Sequence, residues 1–269
     1  MRFRMPRLRH LVLGVLGAAM VAPAASAQFG QAAGFGEVMS PYYLRRDLNL
    51  FVEGLELDPG QALIVESLFF DYEDEQNASK ARMLESISSM KDQLEELDRN
   101  EMLGLVFKPF EEKAEEWESL KLEFLQNVQL LLNSDQKQLW PSFERELRRS
   151  KEVSKGDLSG ESVDLIQVAR LTLRAEEQKA IAPLLEEYAL AFDEAIRTRE
   201  RRFAESRLAM MHSIRDDDPT SALQLYERQL DARLAVRNVN DQYLAMISEP
   251  LHPSSASEFV EEARIRGYA

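Results

Sequence analysis

Residues 55–72 read LELDPGQALIVESLFFDY, and residues 171–188 read LTLRAEEQKAIAPLLEEY. Leu55 and Leu57 correspond to Leu171 and Leu173, and Ser67 to Tyr72 corresponds to Pro183 to Tyr188, at a constant offset of 116. Downstream, Phe124, Val128, Leu132 and Trp140 correspond to Tyr243, Ile247, Leu251 and Phe259 at a constant offset of 119. Self-similarity at a fixed period marks a duplicated architecture. The sequence therefore divides into module 1, residues 40–150, and module 2, residues 162–269. The small and polar residues of 151–161 read as the linker between them.

Both modules follow one helical plan. A short opening helix, from Pro41 or Val163, ends near the paired leucines, and a long helix follows. Met83, Ile87, Met90, Leu94 and Leu97 step by four and three in the first long helix, as Ile181, Leu185, Tyr188, Phe192 and Ile196 do in the second. That spacing confines the apolar side chains to one helix face. The first long helix is expected from Pro59 to about Asn100, a length on the order of 60 Å. Turns are expected at Gly104–Pro109 and at Asp216–Pro219. Returning helices carry Trp117, Leu120, Phe124, Val128 and Leu131 in one module, and Tyr226, Leu230, Val239, Tyr243 and Ile247 in the other. Stripe meets stripe in an antiparallel hairpin, and a short helix from Ser134 or Pro253 closes each module. No glycine lies between Val163 and Arg266, as long helices with few tight turns require. The expected fold is all-α, two tandem elongated antiparallel helical-hairpin modules built on long amphipathic helices.

The helix starts carry the most specific local signal. Leu57-Asp58-Pro59-Gly60-Gln61 and Leu132-Asn133-Ser134-Asp135-Gln136 each place a leucine before a side-chain oxygen acceptor, with glutamine three residues on. This is capping-box spacing: the cap oxygen accepts from the third helical N–H, and the glutamine reaches back to the cap's own N–H. Leu57 and Leu132 stand where a hydrophobic staple would.

Two such boxes in one module, each opening a charged amphipathic helix, resemble the LTxxQ motifs of the periplasmic Spy/CpxP family. Residues 131–149, LLNSDQKQLWPSFERELRR, are most similar to that family's second motif. In plan the resemblance covers both modules, while the motif matches are confined to module 1. In module 2, Leu173 and Glu177 are all that remains of the first motif, and Leu251-His252-Pro253-Ser254-Ser255 has lost the glutamine of the second. The resemblance implies a periplasmic, ATP-independent chaperone or envelope-stress modulator whose hairpins bind unfolded or envelope proteins, often as a homodimer. One feature departs from it, because the family's chaperones present a basic face.

The N-terminus reads MRFRMPRLRH, then LVLGVLGAAMVA, then PAASA before Gln28. A basic head, a short apolar run and the small-residue site Ala25-Ser26-Ala27 make a Sec-type signal peptide, residues 1–27, with cleavage expected after Ala27. Leu11 to Ala22 falls well short of the roughly 20 residues of a membrane-crossing helix. Residues 28–39 are expected to be a flexible segment, and the mature chain to be periplasmic or otherwise secreted, with no membrane insertion. Arg2, Arg4, Arg7 and Arg9 leave with the signal and no acidic residue does, taking the formal net charge from −14 to −18. Such acidity argues against a nucleic-acid partner, which requires clustered Lys and Arg. Basic clusters at Arg145, Arg148, Arg149 and at Arg197, Arg199, Arg201, Arg202 alternate with glutamates and read as solvated helix surface.

The chain has no cysteine, so it has neither disulfides nor thiolate chemistry. Of His10, His212 and His252, no two have the four-residue spacing of a helical zinc pair. Asp216, Asp217 and Asp218 lack the alternating ligands and glycine of a calcium loop and suit a helix start instead. The acidic runs at Glu111–Glu118 and Asp71–Glu75 promise no pocket that would separate two carboxyl pKa values. Neither a nucleophile elbow nor a phosphate-cradling loop is present. The expectation is a non-enzymatic protein without cofactor or metal. A hairpin two helices thick has little interior, so part of its aromatic and methionine stripe is expected to stay open. Phe69, Phe70, Met83, Met90, Trp117, Trp140, Met210 and Met211 are the candidate protein-binding residues. A structural or assembly protein with a fixed envelope partner, or a metal-responsive sensor, are the alternatives.

Overall fold

The computed structural model describes residues 40–90, 99–216 and 218–267. The expected signal peptide and the segment 28–39 lie outside the described residues. The fold is all-α, and the described residues include no strand. After a 3₁₀ turn at Arg45–Asp47 come α1 Leu48–Gly54, α2 Pro59–Ser89, α3 Arg99–Leu131 and α4 Ser134–Glu152. A second 3₁₀ turn, Val153–Lys155, precedes α5 Leu165–Thr172, α6 Ala175–Ala180, α7 Ala182–Arg215, α8 Pro219–Ser248 and α9 Pro253–Gly267. The chain divides into two compact units, 1–137 and 138–269. Unit 2 therefore includes most of α4 and all of 151–161, which composition alone assigns to a linker.

In unit 1, α2 and α3 pair antiparallel: Gln61 meets Leu131, Tyr72 meets Phe124 and Ser79 meets Trp117. The buried residues of α2 are Val65, Phe69, Tyr72, Gln76, Ser79, Met83 and Ile87, the four-and-three stepping of one helix face. Rings from four segments close the wide end. Tyr43 and Phe51 pack edge-on at 5.9 Å, Phe51 sits 5.4 Å from Phe124, and Phe124 stacks on Tyr72 at 5.4 Å. At the far end the layer narrows to Met83, Ile87 and Trp117 with Leu120 beside them.

The expected boundaries of this hairpin are corrected. α2 ends at Ser89, about 45 Å from its start, rather than near Asn100. Gly104 and Pro109 lie inside α3, which begins at Arg99, so neither makes the turn. Interior Gly and Pro cost a helix about 1 and about 3 kcal/mol relative to Ala. Docking along α2 offsets that cost, and Pro109 itself is buried. The expected turn at Asp216–Pro219 is as read: α7 ends at Arg215, and the Asp218 carboxylate caps α8 through Thr220 and Ser221 N–H at 3.1 Å.

Unit 2 packs α5, α7, α8 and α9 around Val163, Leu165, Val168, Leu173, Ile181, Tyr188, Phe192, Ile196, Val236, Ile247 and Phe259. Its long helix is interrupted after α6, because Pro183 has no N–H to continue the ladder and Ile181 becomes a junction. Tyr188 ties the layers together: its hydroxyl accepts from Leu165 N–H at 3.2 Å and donates to Asn240 Oδ1 at 2.9 Å. Asn240 Nδ2 then donates to the carbonyls of Gly160 and Val163, at 2.8 and 3.2 Å. The end of α9 closes on the start of α5 so tightly that a Cβ on Gly267 would lie 2.7 Å from Val163 Cβ.

Candidate functional site

Both expected capping boxes form. Asp58 Oδ1 accepts from Gly60 and Gln61 N–H at 2.8 and 2.9 Å, and Gln61 Oε1 accepts from Asp58 N–H at 3.1 Å. Asn133 Oδ1 accepts from Asp135 and Gln136 N–H at 3.0 Å, and Gln136 Oε1 accepts from Asn133 N–H at 3.0 Å. Leu57 and Leu132 are buried below them.

The two boxes also lock to each other. Gln61 Nε2 donates to Gln136 Oε1 at 2.9 Å, and Gln136 Nε2 donates to Gln61 Oε1 at 2.7 Å. The remaining amide hydrogens reach across as well, Gln61 to the Leu131 carbonyl at 2.9 Å and Gln136 to the Glu56 carbonyl at 3.1 Å. Each glutamine thus both caps its own helix and holds the other's start, satisfying donors and acceptors together. Glu56 adopts φ 49°, a left-handed conformation that costs a non-glycine residue about 1–2 kcal/mol. Its carbonyl is one of the two that the clasp uses.

Unit 2 keeps this arrangement with different chemistry. Glu177 and Ser255 occupy the equivalent positions, and Ser255 Oγ donates to Glu177 Oε1 at 2.7 Å. Glu177 Oε2 accepts from Arg174 N–H and Arg174 Nε, both at 3.1 Å, so the reach-back half of the box survives. The hydrogen bonds from Arg174 and Ser255 hold the Glu177 carboxyl down at about 2. His252 stands at the cap of α9, its Nδ1 2.7 Å from Ser254 Oγ.

The candidate binding residues divide by exposure. Phe69, Met83 and Trp117 are buried in unit 1, each at 6% exposure or less, which corrects the reading of these three as open surface. They are covered because α3 lies directly on that face, and Trp117 Nε1 donates to Ser79 Oγ at 3.1 Å. Phe70, one position round the helix from Phe69, is 37% exposed with the Arg45 guanidinium over its ring. Met90, Trp140 and Met210 are half-buried. Met211 lies in α7 with its side chain outside the described set. Leu63, Phe70 and Leu84 are exposed at multiples of seven residues, on the face of α2 turned away from the buried stripe.

Sequence reasoning missed a buried ionic cluster in unit 2. Glu161 is fully buried; its carboxylate accepts from Arg199 at 2.6 Å, Arg233 at 3.1 Å, and the Asp157 and Leu158 N–H groups at 3.0 and 3.1 Å. Arg199 also donates to the Glu152 carbonyl at 2.6 Å and lies 3.3 Å from its carboxylate. Burial opposes ionisation of Glu161, yet these donors and both guanidinium charges hold its carboxyl below the usual range. Arg149, also buried, pairs with Asp164 at 3.1 Å. Arg149 and Arg199 are thus interior residues, not the solvated surface that their clusters suggest. The available signal was register: Arg199 continues the stepping of Tyr188, Phe192 and Ile196 along α7.

Among the described residues no group of three His, Cys, Asp or Glu side chains is placed to hold a metal ion, and no helix is long and apolar enough to cross a membrane. Among the described residues, one shallow depression is lined by Leu184, Met246, Glu249 and Pro250 and another lies beside His212, Ser221 and Arg228. No protein-family model matches the chain, no curated protein matches it, and no solved structure matches it.

Proposed function

We propose that the chain is an exported helical binding protein of the Spy/CpxP kind, an ATP-independent chaperone or envelope-stress modulator that binds apolar segments of other proteins. The observation that carries this reading is the mutual clasp of Gln61 and Gln136. It gives the leucine, the cap oxygen and the glutamine of both LTxxQ-like motifs one joint physical role, which two chance matches to a short pattern would lack. The retained Glu177–Ser255 contact extends that role to the second copy. Exposed apolar residues on outward helix faces, Leu63, Phe70 and Leu84 on α2 and Leu223 and Tyr226 on α8, supply surface for an apolar partner.

The test is aggregation of α-lactalbumin after reduction with dithiothreitol, followed by light scattering without ATP. The chain has no cysteine, so the reductant acts on the client alone. Suppression near a stoichiometric ratio is the expected result. Undiminished scattering at a several-fold excess of the protein refutes the chaperone reading.

A further inference from the structure

The exposed apolar residues of α2 are ordered along the helix. Leu63, Phe70 and Leu84 are 68%, 37% and 39% exposed, and they fall on one line of sevens that Asn77, also exposed, completes. A seven-residue repeat of this kind is the seam along which another helix packs at a shallow left-handed crossing. α3 already covers the stripe of Phe69, Tyr72, Ser79 and Met83, so the line of sevens is a second seam on the same helix.

Unit 2 carries a helix at the equivalent position. At the offset of 116 the four residues become Lys179 on α6 and Glu186, Asp193 and Glu200 on α7. The three carboxylates are met by the part of α4 that belongs to unit 2. Arg145 donates to Glu186 at 3.2 Å, and Arg148 donates to Asp193 and lies 3.7 Å from Glu200. A helix therefore stands beside that long hairpin, held by guanidinium groups on carboxylates. In unit 1 three of the four positions are apolar instead, and the line is open to solvent.

The borders of the open seam set the charge of what fits it. Asp71, Glu73, Asp74 and Glu85 stand along it and take part in no ion pair among the described residues, and against them Lys80 is the one cation. Nearer the start of α2 the chain supplies a cation itself: the Arg45 guanidinium lies over the Phe70 ring at 5.4 Å and 3.7 Å from Glu66. A second copy of the chain, with a formal net charge of −14, would bring acid against acid.

We infer that the seam of Leu63, Phe70 and Leu84 on α2 is a docking surface for an amphipathic helix of another protein, with apolar residues at heptad spacing and Lys or Arg beside them. Leu63 and Leu84 are about 32 Å apart along the helix, so the partner helix spans about three heptads. The inference rests on the reading of the chain as a binding protein and names the chemistry of its partner. It does not require that the partner be unfolded.

The experiment titrates the purified protein into two fluorescein-labelled synthetic peptides of three heptads, followed by anisotropy. Both have Leu at a and d; one has Lys at e and g, the other Glu. The Lys peptide is expected to bind about tenfold or more tighter than the Glu peptide. Leu63→Gln with Leu84→Gln in the protein should weaken that binding about tenfold or more, while Leu223→Gln, at a comparably exposed leucine of α8, leaves it unchanged. Should the paired variant lose helicity by circular dichroism, Leu63→Gln alone serves in the same comparison. Absence of saturable binding, equal binding of the two peptides, or binding that the seam variant leaves unaltered overturns the inference. A dimer in sedimentation that the seam variant dissociates assigns the seam to a second copy and overturns it. Lys-peptide binding that tightens about tenfold on deletion of residues 28–39 assigns the seam to the chain itself and likewise overturns it. Suppression of α-lactalbumin aggregation without peptide binding sinks this inference and spares the chaperone reading. Peptide binding at the seam without suppression upholds the inference and refutes the chaperone reading.

Discussion

Replacing Gln61 by alanine removes four hydrogen bonds at once: one from Asp58 N–H, one to the Leu131 carbonyl, and the reciprocal pair with Gln136. Each contributes about 0.5–1.5 kcal/mol net, and water reaches this half-buried site to recover part of the loss, so Gln61→Ala is expected to cost about 2–3 kcal/mol. Gln136→Ala removes the mirror set, its bonds to Asn133 N–H, the Glu56 carbonyl and Gln61, and is expected to cost a similar amount. Two of the four bonds are common to both variants. The double variant should therefore fall short of the sum of the singles by about 1–2 kcal/mol. The assay is urea unfolding followed by Trp117 fluorescence in a Trp140→Phe background, which confines the signal to unit 1 and avoids treating two units as a single transition. Gln61→Glu is expected to be no better than Gln61→Ala, because the substituted oxygen faces the Leu131 carbonyl. Adding Gln136→Ser transplants the acceptor and hydroxyl donor of unit 2 and should recover part of the loss. Additivity of the two alanine variants within about 0.5 kcal/mol would refute the clasp as a coupled device.

Two further outcomes follow from unit 2. The Glu177 carboxyl lies at about 2, below its ordinary value of 4.5, so its contribution to stability is complete above that ordinary value and is lost as the pH falls toward 2. Ser255→Ala should raise the Glu177 midpoint in a carboxyl carbon-13 NMR titration, and an unmoved midpoint would show that the Ser255 hydroxyl does not hold it. Glu161→Ala leaves the buried Arg199 without its shortest carboxylate contact and strands the Asp157 and Leu158 N–H groups. It should destabilise unit 2 by about 3–5 kcal/mol in a urea melt, and a loss under about 1 kcal/mol would mean that the cluster is solvated.

The all-α class was legible because the four-and-three spacing of Ile181, Leu185, Tyr188, Phe192 and Ile196, and of Met83, Ile87 and Met90, does not fit the alternation of a strand. The boundary of the first hairpin was misread because Gly104 and Pro109 are strong local breakers, while helix pairing is a property of the partner as well. The repeat offset of 119 carries the Asp216–Asp218 turn back to 97–99, close to the observed start of α3 at Arg99, and was the better guide. Periodicity identified the buried face and its pairing with a returning helix, but not how completely two helices would cover it. Phe69, Met83 and Trp117 therefore read as open when α2 and α3 in fact cover one another. The capping boxes were visible from spacing, but their meeting depends on where a helix returns some 75 residues later, which no local pattern encodes. Gln76, Ser79 and Arg199 stand in register with apolar neighbours, and a polar residue on an apolar face was the legible sign that each would be interior.

The Glu161 cluster also bears on how this duplicated chain can be dissected. Arg199 and Arg233 neutralise carboxylates that precede Val163, so a fragment beginning at residue 162 would retain both guanidinium groups while discarding Glu152, Asp157 and Glu161. Cut at the repeat boundary read from the sequence, the second module would expose a cationic notch of its own making and is expected to lose stability there. A fragment begun near Gln138, where the second compact unit starts, keeps those carboxylates. The period read from the sequence and the boundary between the compact units therefore fall some 24 residues apart, at about 162 and at 138.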